Sequence, residues 1–267
     1  MRKFLLCCVT LVALTIYSFG QQTFTVEGVQ FKMVKVEKGD YWMGAQCIDT
    51  TEVNYDFNAQ SDEWPIHFVT IPEDFLIGQT EVTQKLWKKV MGYNPSRYKC
   101  CRRPVENVSL DEIMVFLQRL DSLTNKDFRL PTEEEWEYAA RGGKDNPEGD
   151  KQLYSGGDDL RKLGWYNENS RHPRWTKRKN ANKIGAYDMS GNVWEWTQTP
   201  YAFYDKERKV NAEKGKTFYV IRGGSWNLNK NSCRVSWRGK RYSDSGNSFG
   251  GFRLVLPLTQ QNNTEKE

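Results

Sequence analysis

The stretch Ile221 to Leu256, IRGGSWNLNKNSCRVSWRGKRYSDSGNSFGGFRLVL, constrains the fold more than any other part of the chain. It opens on Ile221 and closes on Phe252, Leu254 and Leu256, which alternate with Arg253 and Val255. Period-two alternation of apolar, β-branched and aromatic residues predicts a strand at each end. Between the ends lie Asn, Ser, Gly, Arg and Lys, with Trp226, Cys233 and Trp237 embedded. A polar loop that long inside a compact domain is either functional or disordered, and disordered chain is poor in aromatics. The expectation is a rigid strand frame that presents a polar, aromatic, cysteine-bearing surface. Trp226, Asn227, Asn229, Asn231, Trp237, Arg238 and Tyr242 are its candidate ligand-binding residues, with rings as rigid anchors and polar side chains as adaptable contacts. An ordinary solvated loop face is the alternative.

Export sets the chemical context. Met1, Arg2 and Lys3 precede an apolar run from Phe4 to Tyr17, and Ser18-Phe19-Gly20 offers small residues before Gln21. That pattern predicts a signal peptide cleaved near Gly20, hence a secreted or periplasmic protein. The run is too short for a comfortable membrane span, and no later stretch is long and apolar enough. Loss of Arg2 and Lys3 takes the formal charge from +5 to +3, too mild to argue for nucleic acid. The runs Arg171 to Lys179 and Lys206 to Lys216 read as solvated surface. Cys47, Cys100, Cys101 and Cys233 remain after export. The expectation is one bridge, from Cys47 to Cys100 or Cys101, because a bond between adjacent cysteines is strained.

Mean hydropathy is −0.77, low for a large helical core, and 13% aromatic residues partly compensate. Short strands are expected around Thr23 to Val34, at Lys38 to Gly44 and at His67 to Ile71, with His67 on a strand surface. Thr80 to Met91 predicts a first helix. Ser109 to Leu123 predicts a second, with a Ser109/Glu112 capping box and an Ile113, Phe116, Leu117, Leu120 stripe. Thr132 to Arg141 predicts a third, opened by Thr132 and Glu135, with Glu133 and Glu134 complementing the helix dipole. Residues 143–190 are rich in Gly, Asn, Asp and Lys and need something other than a hydrogen-bond ladder to hold them. In DMSGNVWEW, Asp188 and Glu195 supply carboxylates, and Gly191 and Asn192 permit a turn that aims carbonyls inward. Calcium takes such oxygen ligands. A hydrogen-bonded turn is the alternative.

Four blocks in order, GQTEVTQKLW, FRLPTEEEWEYAARGG, YDMSGNVWEW and RGGSW…GFR, resemble the formylglycine-generating enzyme or sulfatase-modifying factor family over roughly residues 26–257. The resemblance implies one α+β domain of C-type-lectin-like fold, with few helices, short strands and long loops, followed by a flexible tail at 258–267. It implies a structural calcium loop with Asp188, the carbonyls of Gly191 and Val193, and Glu195 as ligands, and it maps a second calcium ligand onto Asn167. The family's oxidases hold copper between two cysteine thiolates five residues apart after GGS. Cys233 takes the second position and is the one candidate catalytic residue. Leu228 stands where the first thiolate belongs, and leucine cannot bind copper. The iron-dependent relatives' histidine triad cannot form from His67 and His172. The reading is therefore a non-oxidase relative that binds a protein, peptide or glycan through residues 226–249, with calcium and without copper. The alternative is an oxidase that converts a sulfatase cysteine to formylglycine.

Overall fold

A β-hairpin begins the described chain. The computed structural model describes residues 20–144, 146, 151–204, 210, 212–213 and 215–258. The predicted signal peptide and tail therefore lie outside them, apart from Gly20 and Leu258. Strand β1 (Gln21–Val26) pairs antiparallel with β2 (Val29–Val36), which pairs with β5 (Phe75–Gly78). The short β11 (Val255–Pro257) completes this four-stranded sheet, so the end of the chain closes on its beginning. A two-stranded ribbon of β3 (Gly39–Met43) and β4 (His67–Ile71) stands beside it. The second large sheet has the order β10 (Gly250–Gly251), β6 (Trp194–Pro200), β8 (Lys216–Arg222), β7 (Ala212–Glu213), with β9 (Arg238–Tyr242) also paired to β8.

The helices follow the sequence signals with one correction. Helix α1 spans Gln84–Met91, not Thr80 to Met91. The segment before it is extended chain held by sheet-like bonds, from Val82 N to Phe252 O (2.8 Å) and from Val105 N to Val82 O (2.8 Å). Thr83 is the cap, its hydroxyl accepting from Leu86 N. Helix α2 (Leu110–Thr124) carries the Ser109/Glu112 capping box and buries Ile113, Phe116, Leu117 and Leu120. Helix α3 (Glu133–Ala140) carries the Thr132/Glu135 box. A single turn, α4 (Leu160–Leu163), lies in the glycine-rich region. The main core stacks Trp87 on Phe116 at 5.1 Å, with Phe252 edge-on to both.

Three further expectations change. The closing strand is only Val255–Pro257, because Arg253 is buried rather than facing water. The polar stretch is not one loop: a 3-10 turn at Lys230–Cys233 and strand β9 divide it. No disulfide forms among the described cysteines. Cys47 is exposed in the 46–63 region, whereas Cys100 and Cys101 are tied to the start of α1 by Cys100 N to Gln84 Oε1 and Lys85 N to Cys101 O. His67 lies on strand β4, half-buried, with its ring against Tyr204 at 4.5 Å.

Four arginines of the C-terminal stretch knit these parts together. Arg253 grips Glu195 with both oxygens (2.5 and 2.6 Å), and Arg234 grips Glu63 (2.6 and 2.7 Å) and Asp56 (2.5 Å). Arg238 grips Glu133 (2.6 and 2.8 Å), and Arg222 meets Glu137, which also binds Arg141. All are buried. Paired forks of this kind satisfy charges that burial would otherwise make costly.

Candidate functional site

The site is organised by Asn192, which is wholly buried and sits at φ 61°. Asparagine tolerates that left-handed backbone better than most residues. Its N–H donates to Trp165 O (2.8 Å) and its carbonyl accepts from Trp226 N (2.9 Å). Its side-chain oxygen accepts from Arg174 N (2.8 Å), and its side-chain amide donates to Glu81 Oε1 (2.9 Å). One residue thus fixes three loops relative to one another. Gly191 beside it is required, because a Cβ there would lie 2.4 Å from Trp165 O.

The side chains on these loops form an aromatic and basic face. The Trp226 indole donates to Ser248 O (3.2 Å) and stands edge-on to Tyr98 at 5.6 Å. Tyr98 lies 5.9 Å from His172 and under Arg97, and Arg103 reaches His172 (3.4 Å). Arg174 and Lys179 lie over Trp165, and Arg102 and Arg178 over Trp175. Such cation–π pairs keep long basic side chains ordered at a surface. Glu106 anchors the segment by accepting from Tyr98 N (2.7 Å).

The predicted binding residues divide. Trp226 lies on this face, half-buried, and the half-buried Asn227 beside it accepts from the Ser225 hydroxyl (2.6 Å). Asn229 is exposed and caps the 3-10 turn, and Asn231 spans toward Asn58 (3.4 Å). Trp237 packs on Trp194 at 4.8 Å, and Tyr242 stacks on Phe218 at 4.1 Å. Arg238 lies apart from this face, buried on Glu133 with further bonds to Asp62 O and Ala202 O. Sequence reading missed Tyr98, His172, Trp165 and Trp175. For the last three the signal is the interleaving of rings with basic residues in WYNENSRHPRWTKRK, of which Arg171 to Lys179 reads as solvated surface; Tyr98 lies in a separate basic run, RYKCCRR.

Cys233 is fully buried among Tyr154, Leu160, Leu163 and Tyr166. Burial pushes its thiol up to about 12, against the opposing N–H of Ser225. Gly224 is pressed against it, since a Cβ there would lie 2.8 Å from the sulfur. Leu228 packs into the main core, while His67 packs on Tyr204 and His172 on Tyr98. A neutral, buried single thiol does not fit Cu(I), which wants paired thiolates.

The calcium residues also separate. Both oxygens of Glu195 are taken, by Arg253 and by the Trp136 indole (2.6 Å). Asp188 is buried at φ 59°. One oxygen accepts from Lys177 N (2.6 Å) and the other is buried without a partner, as is Oε2 of Glu81. Burial, together with the Glu195 charge, pushes Asp188 up to about 6. Gly191 N and Asn192 N donate to Gly223 O and Trp165 O, Val193 is buried, and Asn167 is exposed with its N–H on Leu228 O. Among the described residues no three His, Cys, Asp or Glu side chains converge as a metal-holding group. An ion at this loop would therefore lean on Asp188 and backbone carbonyls, with Glu195 already engaged.

The comparison with known proteins decides the family. The model of the sulfatase-modifying factor enzyme 1-like domain matches residues 22–258. The chain belongs to the sulfatase-modifying factor family. It is 31% identical over 239 residues to the chaperone protein LppX of Paenibacillus barcinonensis, a match covering 68% of this chain and 80% of that one. It is 27% identical over 230 residues to the inactive C-alpha-formylglycine-generating enzyme 2 of Mus musculus, covering 76% and 68%. The Treponema denticola variable protein 1 structure superposes with TM-score 0.73 at 28% identity, covering 88% and 98%. The sulfatase-modifying factor fold is thus the α+β architecture that the four sequence blocks implied.

Proposed function

We propose that this family member is a non-oxidase binding protein, exported by its N-terminal segment, that holds a protein, peptide or glycan on the face around Trp226, Tyr98 and His172. The observation that carries this reading is the incomplete copper set: Leu228 stands where a thiolate is needed, and Cys233 is sealed in an apolar cluster. Similarity to a protein named a chaperone and to one named inactive supports it. The basic side chains stacked on the face's rings favour a ligand with acidic groups. No helix among the described residues is long and apolar enough to cross a membrane. The same reading includes a structural calcium ion at the loop of residues 188–195, with Asp188 as its free carboxylate and the carbonyls of Gly191 and Val193 beside it.

The test is a Cu(I) competition against a chromogenic chelator, run with mass analysis of a cysteine-containing sulfatase peptide. Copper is expected to stay with the chelator and the peptide mass to stay unchanged. Tight one-to-one copper binding together with thiol-to-aldehyde conversion would overturn the reading in favour of the oxidase. On an array of acidic and neutral peptides and glycans, signal is expected on acidic members. It should fall about tenfold or more in Trp226→Ala, as for an aromatic anchor.

A further inference from the structure

Cys100 and Cys101 line a pocket of about 740 Å³ with Gln84, Lys85, Lys88, Lys89 and Lys99. Lys89 shares its charge with Glu27 (2.8 Å), and Lys99 donates to Asn94 O (2.5 Å). Cys100 is half-buried and Cys101 exposed, and both are free thiols. The Arg102 N–H bonds to the Cys100 sulfur. Helped by the Trp175 indole, the Arg103 charge and the Cys101 thiol, it outweighs partial burial and holds Cys100 below its ordinary range. The backbone on either side is pinned, by Cys100 N to Gln84 Oε1 (2.8 Å) and Arg103 N to Cys100 O (3.0 Å). A positioned sulfur, a second thiol in contact with it and a rim of lysines form a built site, which the single buried Cys233 is not.

We propose that Cys100 and Cys101 form a thiol–disulfide exchange site for a small anionic disulfide. The Cys100 thiolate attacks one sulfur of the disulfide R–S–S–R. The Cys100–S–S–R bond forms, the old S–S bond breaks, and one RS⁻ leaves with its electron pair. Cys101 then loses its proton to water and attacks the Cys100 sulfur. A Cys100–Cys101 bond forms and the second RS⁻ leaves, so two electrons pass from the dithiol to the disulfide. The bond between neighbours is strained, and strained exposed disulfides are readily reduced again. The site is therefore suited to turnover or sensing rather than to stapling the fold. This chemistry needs no copper, and its site borders the Trp226 face through Arg102, Arg103 and Trp175.

The experiment uses the full chain with Cys7→Ser, Cys8→Ser and Cys47→Ser, and the dianionic reagent dithiobis(nitrobenzoate). Two equivalents of thionitrobenzoate are expected from this folded triple variant, with no adduct left by mass. Adding Cys101→Ser should stop release at one equivalent and retain the mixed disulfide. Adding Cys100→Ser should slow the first release and leave one Cys101 adduct, because the positioned attacking sulfur is lost. A reference chain keeps Cys47 but has Cys7, Cys8, Cys100 and Cys101 as serine. The rate ratio of the anionic reagent to neutral dithiodipyridine should be higher at Cys100 than at this exposed Cys47, and salt should reduce the difference. The proposal is overturned if Cys47 reacts as fast and with the same ratio, or if the triple variant that retains Cys100 and Cys101 keeps a single adduct.

Discussion

Asn192 shows what a single residue contributes here. Alanine keeps its two main-chain bonds but deletes the acceptor for Arg174 N and the donor to Glu81, and it places a Cβ-bearing residue without a local hydrogen bond at φ 61°. The buried Glu81 carboxyl and the part-buried Arg174 N–H then lose partners, at about 1–3 kcal/mol each, and the left-handed backbone adds about 1 kcal/mol. Asn192→Ala should therefore destabilise the fold by about 3 kcal/mol or more in urea unfolding, and should also weaken ligand retention. Asn192→Gly loses the same side-chain bonds without the backbone penalty, so it should be milder by about 1 kcal/mol. If the two variants unfold alike, the left-handed strain is not what selects asparagine. Sequence reading found this turn but treated Asn192 as a permissive residue, because its four partners come from segments distant in the chain.

At the scale of elements, α3 shows how one short acidic run divides its labour. Glu135 closes the capping box and pairs with Arg129, as its spacing after Thr132 indicates. Glu133 and Glu137 face inward and receive Arg238 and Arg222 from the second large sheet. Helix-start chemistry was legible because a capping box is local in sequence. The arginine pairings were not, because Arg238 and Glu133 lie 105 residues apart and Arg234 and Asp56 lie 178 apart. The loop of residues 188–195 carries the calcium proposal at this scale. An ion bound only by the folded chain raises stability by mass action. The melting temperature should fall in EDTA and recover with calcium, and Asp188→Ala should lose that response. A wild-type melt indifferent to EDTA would remove the ion from the account.

Across the whole molecule, the strands β1 to β4 and the apolar stripe of α2 are readable from periodicity, most of the second large sheet is not, and the long loops are held by charge. That leaves a signature in acid. Burial alone would raise the Glu137 carboxyl, but Arg141, Arg222 and the Gly44 N–H outweigh it and hold it below its ordinary value. A depressed carboxyl contributes stability that is present above the unfolded value of about 4.5 and is lost as pH falls through the folded value. Glu106 has the opposite sign. Its burial, only partly offset by the N–H groups of Tyr98 and Arg97, raises its carboxyl. Its contribution is present below about 4.5 and is lost as pH rises through the folded value. Glu137→Gln should cost about 3–5 kcal/mol at pH 7, because two buried guanidiniums lose their charged partner. It should also flatten the loss of stability below pH 4.5. Glu106→Gln should instead gain stability at pH 7 relative to the parent, and the gain should vanish in acid. Urea unfolding of both variants between pH 3 and 7 measures this. Parallel profiles for Glu137→Gln and the parent would mean that the buried arginine network does not govern the acid limb.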